Sequence, residues 1–116
     1  MDDDAIADLF AGLGPVQIRR MFGGKGIYHQ GTIIAVVVDG ELLLKADAES
    51  APTFQAAGCR RWNYGSRSLN RPVSMPYWSV PPAALDDAEE MTPWARLAFQ
   101  AALRSERTRE TGKKAR

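Results

Sequence analysis

The stretch TIIAVVVDGELLLKAD, residues 32 to 47, constrains the fold more than any other part of the chain. Two apolar runs meet there at Asp39-Gly40, the dipeptide that most readily takes the positive φ angles of a type I′ turn. That predicts a β-hairpin. Gln30-Gly31 is a weaker turn of the same kind and joins Ile27-Tyr28-His29 to Thr32-Ile33-Ile34, extending the hairpin into an antiparallel meander.

Helical patterns flank the meander. Ile6, Leu9, Phe10 and Leu13 recur at helical spacing between Asp4 and Leu13, with aspartates near the positive N-terminal end and GLGP closing the segment. After the meander, AESAPTFQAAG reads as a short helix in which Ser50 caps, Pro52 occupies the first turn, Phe54 faces inward and Gly58 ends the run. RRWNY and PVSMPYWSV read as two further strands separated by the polar loop GSRSLNR. Pro76, which has no ladder donor, predicts an edge strand or a bulge in the second. The closing helical region begins around PPAALDDAEE and restarts at Thr92-Pro93, with Trp94, Leu97, Ala98 and Ala101 as its apolar stripe.

At 116 residues the chain is one domain's worth, and no apolar run approaches the roughly 20 residues needed to cross a bilayer. The acidic start MDDDAIADLF lacks the positive region of a secretory signal, and the single Cys59 cannot form an internal disulfide, so a cytoplasmic location is expected. Net charge is +1, unevenly spread: residues 1 to 103 carry −3 and the rest +4. SERTRETGKKAR has no apolar residue larger than alanine, so the expected division is a folded domain over 1–104 and a disordered basic tail over 105–116.

RRMFGGKGIY, residues 19 to 28, concentrates glycine around Lys25 and invites a phosphate-loop reading. A Walker A loop needs glycine where Arg19 stands and Ser or Thr where Gly26 stands, so it fails twice. A dinucleotide fingerprint from Gly24 would need glycine at His29. Gly23 to Gly26 fits the G-x-x-G of KH domains literally, but that loop joins helices and here strand patterns flank it. Two structural readings remain, a Gly-Gly hairpin or one long strand kinked at a bulge.

RRMFGGKGIYHQG, VVVDGELLLKAD and MPYWSVPPAALDDAEEMTPWARLAFQAAL, in this order and spread from Leu9 to Leu103, resemble the N-terminal domain of the TfoX/Sxy family of bacterial competence regulators. The resemblance implies an α+β fold, α-β(3)-α-β(2)-α, an antiparallel sheet with helices packed on it, similar to type III secretion chaperones. It also implies that Arg19 to His29 is one bent strand, with Arg19, Arg20, Met21, Phe22, Gly23 and Gly24 as the family motif and Lys25 a solvated cation that need bind nothing. Family members of known role join this domain to a C-terminal helical domain and promote transcription of DNA-uptake genes with a cyclic-AMP receptor protein. Nothing after Leu103 has room for that second part, so a regulatory or binding role is what carries over. Secretion-chaperone-like folds often dimerise, which leaves a homodimer open.

The residue inventory argues against catalysis, a cofactor or a metal. His29 and Cys59 are the sole residues of their kinds, in separate segments and outside any catalytic or zinc-binding motif. His29 is expected as a solvated strand-end residue. Cys59 is expected as a small filler, although Arg60 and Arg61 beside it would favour the thiolate. Asp86, Asp87, Glu89 and Glu90 are placed to complement the positive end of the closing helix rather than to hold a cation. Trp62, Tyr64, Tyr77 and Trp78 lie near Arg60, Arg61, Arg67 and Arg71, a mixture that suits single-stranded nucleic acid but is also ordinary sheet packing. The expectation is a small non-enzymatic module that binds a protein partner through an edge strand marked by Pro76. The alternative is single-stranded nucleic-acid binding through Arg60, Arg61, Trp62, Tyr64, Arg67 and Arg71.

Overall fold

Gln30-Gly31 and Asp39-Gly40 both take positive φ at both positions, as type I′ turns require (51° and 81°, 52° and 79°). They link β2 (Gly24–His29), β3 (Thr32–Val38) and β4 (Glu41–Lys45) into the expected meander. The structure, a computed structural model, describes residues 1–21, 23–64 and 73–114, without the side chains of residues 64 and 109–114. Along the chain, α1 (Asp3–Leu9) and β1 (Gln17–Met21) precede the meander. It is followed by α2 (Ala51–Ala56), β5 (Arg61–Tyr64), β6 (Val73–Ser79), α3 (Pro82–Leu85) and α4 (Ala88–Lys114). The strands form one antiparallel sheet in the order β1-β2-β3-β4-β6-β5, giving the α+β class expected.

Arg19 to His29 is not one bent strand. Met21 pairs with Gly24, so β1 folds back on β2 as a hairpin whose two-residue connection ends in Gly23 at φ 78°. The positive φ at Gly23 suits a tight reversal rather than a kink. Of the two readings of Pro76, the bulge holds and the edge does not. Strand β6 lies between β4 and β5, and the edges are β1 and β5. The β5–β6 register shifts between Arg61 and Asn63, so Pro76 occupies an irregular stretch where it owes the ladder no N–H, while its carbonyl accepts from Ala46 N at 3.0 Å.

The four described helices cover one face of the sheet. Ile6 and Phe10 from α1, Phe54 from α2, and Met91, Ala95 and Ala98 from α4 pack on Ile27, Ile34, Val37 and Leu44. A bulge between Ile27 and Tyr28 lets Ile34 and Ala35, neighbours in sequence, both reach this core. The fully buried Phe10, Phe54, Ile6, Ile27, Ile34, Leu44 and Met91 each contribute about 1.5 to 3 kcal/mol.

Local chemistry accounts for the helix ends. Asp2 accepts from Ala5 N at 2.8 Å and starts α1. Ser50 stands at the α2 N-cap without capping it; its hydroxyl accepts from Asp47 N, and the Asp47 carboxylate accepts from Ser50 N, both at 3.0 Å. Helix α4 does not restart at Thr92. Asp87 caps it by accepting from Glu89 N at 2.9 Å, and Thr92 Oγ1 bonds back to the Ala88 carbonyl at 2.8 Å, so Pro93 is carried inside the helix. Helix α4 also continues to Lys114, into the segment whose composition marks a mobile tail. Arg, Glu and Lys are good helix formers, and Glu106 is anchored by accepting from Thr32 Oγ1 at 2.9 Å.

Candidate binding face

The face of the sheet opposite the helices has its own apolar cluster. Val36, Leu43 and Tyr77 are buried at its centre, with Ile33, Val38, Trp62 and Met75 partly buried around them. No described helix packs there. Alternation along each strand produces the split: Trp78 turns to the helices, where its ring lies 6.2 Å from that of Phe54, while Tyr77 turns outward. The four aromatics grouped in the sequence therefore divide. Trp62 and Tyr77 share the outward face with ring centroids 6.4 Å apart, Trp78 belongs to the core, and the side chain of Tyr64 lies outside the described residues.

Cations stand over two rings of this face, the Arg19 guanidinium 5.1 Å from the centre of Tyr28 and Lys45 Nζ 5.3 Å from that of Tyr77. The Tyr77 hydroxyl is held protonated above the usual phenol range, by burial first and by nearby Tyr28 second. A groove of about 530 Å³ runs over the face, from Met21, Gly23 and Gly24 at the hairpin to Trp62, Met75 and Tyr77, with Ile33, Val36 and Val38 among its lining.

The two described arginines of the expected basic patch are engaged. Arg60 Nη2 meets Glu41 Oε2 at 2.6 Å, and Arg61 Nε donates to the Met75 carbonyl at 2.9 Å. Arg67 and Arg71 lie outside the described residues. In the motif at the first hairpin, Arg19 caps Tyr28, Met21 lines the groove, and Arg20 lines a second hollow of about 600 Å³ that also touches Lys25, Asp39 and Gly40. Phe22 lies outside the described residues.

Lys25 is not a solvated bystander. Its Nζ donates to Asp3 Oδ1 at 2.7 Å and to the Met1 carbonyl at 3.1 Å, tying α1 to β2. Because Asp3 is largely exposed, Lys25→Ala is expected to cost only about 0.5 kcal/mol, read as a melting-point drop of roughly 2 °C.

His29 and Cys59 are placed for structure. His29 is buried, not solvated: Nδ1–H donates to the Pro15 carbonyl at 2.7 Å and the ring meets Phe99 edge-on at 4.8 Å. The carbonyl can only accept, so that nitrogen carries the proton. Burial pushes the Cys59 thiol up, outweighing the opposite pull of Ser79 and Arg60, which works against a reactive thiolate. Among the described residues no three His, Cys, Asp or Glu side chains gather as a metal site, and no helix is long and apolar enough to cross a membrane.

The family model for the TfoX N-terminal domain matches residues 8–102, a span that takes in the whole sheet and the core of α4. The chain belongs to this family. Within the TfoX N-terminal domain the first hairpin, the meander and the β6–α4 segment thus lie on one continuous match. DNA transformation protein TfoX1 of Aliivibrio fischeri is 33% identical over 52 residues, which is 45% of this chain and 25% of that protein. The matched part spans about a quarter of that relative's length.

Proposed function

We propose that this TfoX N-terminal domain is a non-enzymatic cytoplasmic module that acts in regulation by binding another protein through the outward face of its sheet. The observation that carries the reading is the apolar cluster around Val36, Leu43 and Tyr77, with its groove, on a face that no described helix covers. The edge strand on which the sequence reading relied is not at Pro76, so the attraction resides in side chains of the face. A non-catalytic role is supported by the fate of the two most reactive residues, His29 buried against Pro15 and Phe99 and Cys59 with a raised thiol. The relative's name, DNA transformation protein, favours a role in DNA uptake.

Affinity capture of the tagged full chain from its native cytoplasm tests the proposal. One specific partner is expected with the unaltered protein, and Trp62→Ala is expected to weaken its binding by about 2 kcal/mol, close to thirtyfold. Absence of any specific partner across several growth conditions would overturn the reading. A second reading, single-stranded nucleic-acid binding, is favoured by the cations stacked over Tyr28 and Tyr77. It is opposed by the engagement of Arg60 and Arg61 and by the −3 charge of residues 1 to 103. It requires affinity for an oligothymidylate that falls steeply with salt.

A further inference from the structure

We infer that the outer edge of β1 is a further docking site, which takes an extended segment of another protein as a seventh strand of the sheet, with an apolar side chain of that segment against Ile18. This goes beyond the reading of the outward face and does not rest on it.

Register identifies the groups that such a strand meets. Met21 and Gly24 flank a two-residue connection, so they exchange hydrogen bonds across the hairpin. Pairs of that kind alternate with pairs that exchange none, and the β1–β2 register runs unbroken from Met21 and Gly24 to Gln17 and Tyr28. Gln17, Arg19 and Met21 therefore turn their N–H and C=O groups to β2, while Ile18 and Arg20 turn theirs away from the sheet. Among the described residues nothing bonds these outward groups. Strand β1 also contains no proline and no bulge, two devices that blunt an edge. The opposite edge differs, because the register of β5 shifts between Arg61 and Asn63 and breaks the row.

Arg19 and Arg20 turn the edge away from a second copy of this chain. Two-fold pairing of β1 with itself that uses the outward groups of both Ile18 and Arg20 sets Arg19 opposite its own counterpart, and centring the pair on Arg20 does the same to Arg20. Like charges directly opposite each other are destabilising. Centring on Ile18 leaves Arg20 opposite Val16, which lies before the strand begins. The added strand therefore comes from a different protein. Val16 and Ile18 give it its chemistry: both are half-buried against the helix-side core and, two residues apart, share one side of the chain. An apolar side chain opposite Ile18 removes this rim from water, and the main-chain bonds tolerate variation in the rest of the segment.

Panning a phage-displayed library of random peptides of about twelve residues against the full chain tests this. Enriched peptides should share an apolar residue in an otherwise variable sequence. Synthetic versions should bind Arg20→Ala within about threefold of the unaltered chain, because the main-chain N–H remains, and Arg20→Pro at least about tenfold more weakly, because it does not. The Arg20 N–H makes no bond within the sheet, so the proline variant is expected to fold, with thermal unfolding as the check. A second measurement needs no variant: saturating peptide should slow amide exchange at Ile18 and Arg20 of the unaltered chain at least about tenfold. Trp62→Ala should leave peptide affinity unchanged, since β5 lies at the far end of the sheet. No enrichment, a consensus without an apolar residue, affinity indifferent to a folded Arg20→Pro, or no slowing at those two amides would overturn the inference. So would a dimer in sedimentation that Arg20→Pro dissociates. The two readings fail separately: peptides lost with Trp62→Ala but not with Arg20→Pro remove the edge site and leave binding through the outward face standing.

Discussion

Replacing Gly24 with valine is expected to cost at least about 3 kcal/mol and to lower the melting point by roughly 10 to 15 °C. The reason is close approach rather than backbone angle. Gly24 is not among the positive-φ residues, but a Cβ built on it would fall on the Val37 carbonyl oxygen, a backbone atom that cannot swing aside. Relief would require β2 to pull away from β3 where Lys25 pairs with Val37, loosening both the hairpin and the groove lined by these residues. Gly23 provides the contrast. It has φ 78° and nothing within 4 Å of its missing Cβ, so Gly23→Ala carries only the left-handed penalty of about 1 kcal/mol. Chemical denaturation of Gly23→Ala, Gly24→Ala and Gly24→Val should rank them in that order of increasing damage. Equal losses for Gly23→Ala and Gly24→Val would show that conformation, not contact, governs the site.

What could be read from the chain depended on how local its cause was. Asp39-Gly40 and Gln30-Gly31 set their turns through the φ angles of two adjacent residues, and both turns stand where the dipeptides placed them. The opposition of Tyr77 and Trp78 was equally legible, since adjacent strand residues face opposite ways; grouping them as one aromatic patch ignored that period. The hairpin at Gly23 was less accessible. Glycine permits a kink and a reversal alike, and pairing of Met21 with Gly24 decided between them. Pro76 excludes a ladder donor but says nothing about where its strand lies in the sheet, and a bulge accommodates it in the interior. His29 beside a turn looked solvated because nothing in its neighbourhood reveals that Phe99, 70 positions later, closes over it. The outward face was partly visible through Trp62 and Tyr77. Arg19 over Tyr28 and Lys45 over Tyr77 were not, because both depend on the register between strands. The coupling of Asp47 with Arg104 likewise left no periodic trace.

Asp47 is expected to govern the acid limb of the domain's stability. Its carboxylate takes two bonds from Arg104, Nε to Oδ2 at 2.6 Å and Nη2 to Oδ1 at 3.0 Å, and Oδ1 also accepts from Ser50 N. Arg104 Nη1 reaches Glu49 Oε2 at 2.7 Å, so one guanidinium holds the turn between β4 and α2 against α4. The Arg104 hydrogen bond is the main cause that lowers the Asp47 pKa from 3.8 to about 2, assisted by Ser50 and opposed by burial. A carboxylate depressed on folding stabilises the protein fully above its unfolded pKa, and the contribution is lost as pH falls through the folded value. The window therefore lies between about pH 4 and pH 2, and after allowance for solvent screening its depth is about 1 to 2 kcal/mol. Asp47→Asn keeps an oxygen for Ser50 N but removes the charge. It should lower stability at neutral pH by that amount and leave little further loss from this site on acidification, so the two unfolding curves converge near pH 2. Asp47→Ala removes the Ser50 contact as well and should fall further, by about 2 to 3 kcal/mol in all. Urea unfolding of the three proteins across this range measures both effects, and a constant gap between wild type and Asp47→Asn down to pH 2 would show that the Arg104 pair does not carry the acid sensitivity.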